Sequence, residues 1–301
     1  MKNVFFGLFF LISFVIHAQD TVSCFTNERI LVVNSIGLFN EDFKWSIAGD
    51  NFQGDPINIL SELTWKDLRG TSFNSGIKWN AWKLFNIENN FSFATITSGT
   101  ATDIDYNQNN RRDTVFYAPL DSDRGALLAA DLTVGYIFFK DHRFALVPKL
   151  GYGLHYQYLY LLDHDHNQAL KTTYDTRWNG FIFGLDGKIK VTKNFLVEVT
   201  TRYHQLKYHS KANWNLIESF EHPVSFTHEA NGFCIDMGSR IRYVFTKSWS
   251  VFVSGNYSFW DTGKGVDKLY LQDGQVAYTQ MNGVQRTSYG FNIGIAKSFT
   301  W

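Results

Sequence analysis

The chain is poor in the residues that punctuate soluble folds. It has four prolines and two cysteines in 301 residues. Two cysteines, Cys24 and Cys234, allow at most one disulfide in an oxidising compartment, or two free thiols far apart. No CxxC pair, phosphate-binding glycine loop or Ser-His-Asp order is present. Neither charge sign is in excess: 28 basic and 28 acidic residues give a formal net charge of zero. That argues against a nucleic-acid binder, which carries a basic patch or excess. After residue 19 no apolar run reaches about 18 residues, so the sequence contains no transmembrane helix signal there. Aromatic residues, in contrast, are abundant. The 28 Phe, 15 Tyr and 9 Trp make up 17% of the chain, and β-strands favour them.

The N-terminal segment MKNVFFGLFFLISFVIHAQD has the three parts of a secretory signal. Lys2 is the positive region, Val4 to Ile16 the apolar stretch, and HAQ a small-residue cleavage region. Residues 1–19 are therefore expected to be a signal peptide and 20–301 the mature domain.

Period-two alternation runs through that domain. In SWSVFVSGNYSFW the odd positions hold Trp249, Val251, Val253, Tyr257 and Phe259. The even positions hold Ser250, Phe252, Ser254, Asn256 and Ser258. In NFLVEVTTRYH, Phe195, Val197, Val199 and Tyr203 alternate with Glu198, Thr200, Arg202 and His204. In GFCIDMGSRIRY, Phe233, Ile235, Met237, Ile241 and Tyr243 alternate with Cys234, Asp236, Arg240 and Arg242. A polar face of mixed charges beside glycine, opposite an apolar face with aromatics at the strand ends, is the pattern of an outer-membrane barrel. The lumen charges Glu198, Arg202, Asp236, Arg240, Arg242, Lys149 and Lys188 are expected to pair.

We read an all-β, ten-stranded antiparallel transmembrane β-barrel. Its strands are expected near 28–49, 55–85, 88–104, 124–140, 142–163, 175–191, 194–213, 225–246, 248–262 and 285–301. Short turns (NIEN, KDH, VTKN, TKS) alternate with longer polar segments at 105–123, 164–174, 214–224 and 261–284. The short turns belong in the periplasm and the long segments outside. Pro148 falls mid-strand, where it removes a ladder hydrogen bond. KDLRG, residues 66–70, reads as a bulge.

The segments SELTWK (61–66), NSGIKWNAW (74–82), TDIDY (102–106), LVPKLGY (146–152), QLKYHS (205–210) and IRYVFT (241–246), with the final strand, resemble the omptins. These are outer-membrane proteases built on a tall ten-stranded barrel. The resemblance covers nearly the whole mature chain as pattern and spacing. It implies that Asp103 and Asp105, spaced Asp-x-Asp before Tyr106, form one half of a catalytic site. Facing carboxylates share a proton, and one can act as a base near neutral pH. The family's other half is Asp-x-His. The stretch 211–229 offers Glu218, Glu221, His222, His228 and Glu229 without that spacing, so His222 with Glu221 or Glu218 is the expected partner. No cofactor is expected. Lipopolysaccharide is the one accessory the resemblance admits, and its binding stretch reduces here to Gly151 and Tyr152. DHDH (163–166) offers His164 and His166 as metal donors or a polar loop, and the loop is the simpler reading.

Two functions stay open at this point. One is a surface endopeptidase with a peptide substrate. The other is a non-proteolytic barrel, a narrow porin or an adhesin, that kept the scaffold. Both place the chain among lipid and lipopolysaccharide in the outer membrane of a Gram-negative-type bacterium.

Overall fold

A computed structural model describes residues 28–51, 53–163 and 170–300. The signal segment 1–19, Cys24 and the histidines of DHDH lie outside these residues. No helix among the described residues is long and apolar enough to cross a membrane. The chain crosses with strands.

Thirteen strands follow one another: β1 (Ile30–Asp50), β2 (Pro56–Trp79), β3 (Phe85–Gln108), β4 (Arg112–Asp121), β5 (Gly125–Tyr136), β6 (Phe139–Lys140), β7 (Phe144–Leu161), β8 (Thr172–Lys190), β9 (Phe195–Asn213), β10 (Phe226–Val244), β11 (Trp249–Thr262), β12 (Gly265–Tyr270) and β13 (Val276–Phe299). Ten of them close a ring in the order β1-β2-β3-β5-β7-β8-β9-β10-β11-β13, every neighbour antiparallel, with β13 pairing back onto β1. Closure leaves no unpaired edge in the bilayer, the condition for a strand protein to span it.

The outward faces carry Ile36, Leu38, Phe73, Ile77, Leu132, Val134, Phe181, Phe183, Phe291 and Ile293, all strongly exposed. They form a belt near the short turns. β3 has 24 residues, or about 80 Å at 3.3 Å each. A barrel needs only a belt of about 25 Å, so the walls stand far above the membrane at the end away from the short turns.

Three differences from the sequence reading have clear causes. First, 105–123 and 261–284 are largely strand. β4 continues the line of β5 along β3 after a break at Ser122–Arg124, and β12 continues that of β11 between β10 and β13. The polar composition of these segments reflects solvent on the outer face of a wall, not a lack of pairing. Second, NIEN lies inside β3, and the turn falls at 80–84. Asn86 and Glu88 point into a polar lumen, where Asn86 is 1% exposed, so their polarity is that of lumen residues. Third, Pro148 sits where the β5–β7 ladder ends, at Gly135–Lys149, before β6 resumes it at Phe139–Leu146. The missing N–H falls in this interruption.

KDLRG is a bulge, with register shifts between Lys66 and Gly70 and Asp67 at φ 55°. Its partner strand gains a residue at Thr97, two residues before Gly99. A bulge exchanges the two faces of a strand beyond it. In β3 below the bulge, Ile96 and other even positions face the lumen; above it, Ala101 does. The same switch turns Leu63 and Trp65 inward on β2.

The interior is layered. Lowest is a cavity of about 400 Å³ among paired charges. Lys149 binds Glu88 at 2.5 Å and Asp186 at 2.6 Å, Lys188 binds Glu198 at 2.8 Å, and Arg240 binds Glu198 at 3.3 Å. Arg202 lies 3.5 Å from Asp131. Asp236 departs from this pairing of acids with Lys and Arg: its partner is His204, at 2.7 Å. Above comes a crosslinked polar layer. Arg286 donates to Glu41 at 2.6 and 2.8 Å, and Gln157 donates to Glu41 from the opposite wall. Thr176 and the Trp178 indole donate to Gln157 Oε1 at 2.8 and 3.2 Å. Over it lies an aromatic layer of Phe43, Trp45, Trp65, Trp178, Tyr174, Tyr208 and Trp260, all buried.

Candidate functional site

Asp103 and Asp105 stand at the outer end of β3, about ten residues, or roughly 33 Å of strand, above the lipid-facing Phe93. They pair in register with Leu63 and Ser61 of β2, and directly opposed residues share a face. Both therefore look into the barrel mouth, and only because of the bulge at Thr97. On an unbroken strand they would share the outer face with Phe91 and Phe93.

Asp103 is pushed up to about 7, chiefly by burial and then by the neighbouring Asp105 charge; a hydrogen bond from the Trp214 side chain acts in the opposite direction. Burial also raises Asp105, against a hydrogen bond from Ser61. The pair can therefore hold one proton near neutral pH, the property a water-activating base needs.

Trp214 follows the end of β9, four strands round a ten-strand ring from β3. It crosses the mouth and packs on Phe226 with ring centroids 4.6 Å apart. An indole N–H donates but cannot accept or relay a proton. The group facing Asp103 thus fixes its position and supplies no second base.

The residues 214–225 carry the expected partners. Glu218, Glu221 and His222 are all exposed. His222 Nδ1 lies 2.8 Å from Asn213 Oδ1. The Glu221 amide donates to the Tyr270 carbonyl at 2.9 Å, tying the loop to the β12 side of the mouth. No hydrogen bond or ion pair joins His222 or Glu221 to either aspartate among the described contacts.

Sequence reasoning named His228 but chose His222 over it. His228 is fully buried on the inner face of β10. Its Nδ1 lies 2.8 Å from the Tyr174 hydroxyl, which also meets Tyr208 at 2.6 Å and Ser210 at 2.9 Å. Its Nε2 lies 3.1 Å from Asp267 Oδ1. Trp45 and Phe226 pack on the ring at 4.8 and 5.1 Å. Phe226 stands two residues before His228, where Asp-x-His would place the acid. Parity along β10 carries the signal for this placement: His228 lies in step with the lumen residues Cys234 and Asp236. Tyr152, the remnant of the lipopolysaccharide stretch, faces outward, accepts a hydrogen bond from Asn179 at 2.7 Å and packs against Phe181.

The sequence profile of the Protochlamydia outer membrane protein family matches residues 35–299. The chain belongs to that family. No curated protein matches the sequence. Among solved structures, the outer membrane protease OmpT of Escherichia coli is similar with a TM-score of 0.72 at 13% identity, over 94% of this chain and 99% of that one. The translocator domain of the autotransporter NalP of Neisseria meningitidis reaches 0.40 at 10% identity, over 89% and 88%. OprG of Pseudomonas aeruginosa reaches 0.38 at 11%, over 91% and 98%. The likeness to OmpT is one of fold: the omptin resemblance holds for the barrel, while the family is the Protochlamydia one. Fold and family together place this member in the outer membrane of a Gram-negative-type bacterium.

Proposed function

We propose that this protein is a closed, non-proteolytic outer-membrane barrel that works by binding at the cell surface, through the tall outer walls and the loop 214–225. The observation that carries this reading is the filled lumen. Glu41, Gln157, Trp65 and Trp178 are each 0% exposed and come from β1, β7, β2 and β8, so buried side chains meet across the barrel from opposite walls. Narrow barrels are filled by side chains in this way. On this reading a solute has no continuous path, and a peptide has no open groove between Asp103 and a histidine.

The test has two arms. Purified protein, with and without lipopolysaccharide, is incubated with a peptide library, and the same protein is reconstituted in planar bilayers. No cleavage and no steady conductance are expected. Cleavage lost in both Asp103→Asn and Asp105→Asn would establish the endopeptidase reading instead, with the loop rearranging to admit substrate. Large ion-selective channels would establish a porin.

The peptidase reading has one specific observation in its favour. A carboxyl pushed up to about 7 beside a second carboxyl is an arrangement found at functional sites. In the closed reading the same pair serves as the anchor that receives Trp214 and holds the loop over the mouth.

A further inference from the structure

A second cluster of chemically capable side chains lies deeper, between the charged cavity and the aromatic layer. His204 on β9 and Cys234 on β10 are directly opposed in register. Asp236 follows Cys234 by two residues on the same strand, so all three side chains enter the lumen at one place. Their donor atoms, one imidazole nitrogen, the thiol sulfur and one carboxylate oxygen, lie within 4.8 Å of one another. Neither the catalytic comparison nor the closed-barrel reading uses them.

His204 points to a ligand. Its side chain is 0% exposed, and neither ring nitrogen makes a hydrogen bond. A buried imidazole ordinarily satisfies at least one nitrogen. Nε2 approaches Asp236 Oδ2 to 2.7 Å without the geometry of a hydrogen bond. Cys234 is buried and makes no disulfide among the described residues, and its thiol donates to Asp236 Oδ1 at 3.1 Å. His155 packs edge-on against Trp260 at 4.7 Å and lies 5.8 Å from the His204 ring. Its Nε2 also lacks a hydrogen bond and stands 3.4 Å from Asp131 Oδ1.

We infer that His204, Cys234 and Asp236 form a binding site for a zinc-class divalent cation inside the barrel. Thiolate, imidazole and carboxylate are the donor types that zinc takes, at about 2.0–2.3 Å. Tetrahedral bonds of that length set neighbouring donor atoms roughly 3.3–3.8 Å apart, so donor atoms within 4.8 Å of one another need to close by no more than about 1–1.5 Å. His155 is a further imidazole beside the cluster, its ring 5.8 Å from that of His204. The acids Asp131 and Asp236 and a thiolate offset the nearby Arg202 and Arg286. Asp236 and His155 also line the 400 Å³ cavity, whose wall reaches down to Leu31 and Lys78 near the periplasmic turns. An ion would enter from the periplasmic side, below the aromatic layer, so this site is compatible with a barrel closed to the outside.

The experiment uses the mature chain folded in detergent, freed of metal by chelator, in a Cys24→Ser background so that Cys234 is the one thiol. Titration with Zn²⁺ should saturate at one equivalent and protect Cys234 from alkylation. Titration with Co²⁺ should give a thiolate-to-metal charge-transfer band and the visible bands of a four-coordinate ion. Cys234→Ser should remove the charge-transfer band, and Asp236→Asn and His204→Gln should each weaken binding at least about 100-fold, more than loss of a supporting residue does. Heat-modifiable mobility on gels checks that each variant is folded. A folded wild-type chain that binds no stoichiometric Co²⁺ or Zn²⁺ overturns the proposal. So does stoichiometric binding without a thiolate band, because that result needs no variant to interpret.

Discussion

The closed-lumen reading stands or falls on whether water reaches Glu41. That carboxylate is 0% exposed. It is satisfied by Gln157 on one oxygen and by Arg286 on the other, at 2.6 and 2.8 Å. Arg286 also lies over the Trp260 ring, 4.7 Å from its centroid. Replacing Arg286 with Met keeps most of the apolar stem and removes the charge. In a dry interior an abandoned buried charge costs about 3–5 kcal/mol. Loss of the cation–π contact adds about 1–2 kcal/mol when the ring is desolvated. Glu41→Gln combined with Arg286→Met removes both charges and keeps the carbonyl that accepts from Gln157. That pair should recover most of the loss, because a neutral isostere of a buried ion pair is often close to neutral for stability.

Urea unfolding in detergent, followed by tryptophan fluorescence and by gel mobility, measures all four corners of the cycle. The expected result is a coupling of at least about 2 kcal/mol between the two positions, above the ~1 kcal/mol ceiling of exposed pairs. A loss below about 1 kcal/mol for Arg286→Met alone would mean that water solvates Glu41. The lumen would then be wet at its middle layer, and the argument against a pore would fail with it.

Further outcomes follow from the same layers. Trp178→Ala should cost about 3–5 kcal/mol in the same assay, the range for deleting a large buried aromatic; a loss under 1 kcal/mol would show that the layer is loosely filled. Asp103 binds more protons folded than unfolded, since its folded value of about 7 lies above the unfolded value of about 3.9. Its contribution to stability is therefore greatest below about pH 4 and is lost as pH rises through about 7. Unfolding midpoints taken from pH 4 to 8 should decline more in wild type than in Asp103→Asn, and identical slopes would refute the burial of this carboxyl. Protease applied to intact cells should cut within 214–225, faster in Trp214→Phe, and should spare 80–84, 191–194 and 245–248. Cutting confined to those short turns would invert the orientation.

The barrel was legible because its rule is local. β9, for one, alternates Phe195/Val197/Val199 against Glu198/Thr200/Arg202, and the apolar side must be outward, since no soluble core would be lined with Lys149, Glu198, Arg202 and Arg242. What alternation leaves open is where a polar stretch ends a strand. NIEN reads as a turn because Asn forms turns, yet Asn86 and Glu88 are polar because the lumen is. β4 and β12 read as loops because above the bilayer both faces of a wall can be polar. In these places polarity reports the surroundings of the strand and says nothing about its pairing.

The site was less legible for a related reason. Two bulge residues, Asp67 and Thr97, decide which way everything beyond them points. Counted straight up from Phe91 and Phe93, Asp103 and Asp105 belong on the outside, and a motif match alone would place them inside without a cause. Lys66–Gly70 was visible as an irregularity, but its partner at Thr97, two residues before the permissive Gly99 at φ 158°, was not. Across the mouth no bulge intervenes: β10 pairs with β9 without a register shift from Phe226 to Tyr243. His228 therefore follows from Cys234 and Asp236 by simple parity, while His222 and Glu221 lie beyond the strand, where parity has no force. The group that meets Asp103 is Trp214, one residue past the end of β9. A tryptophan there carries no spacing signature. Its role emerges only when two strands four places apart in the ring are brought to the same height, and that height is set by the register of every pairing between them.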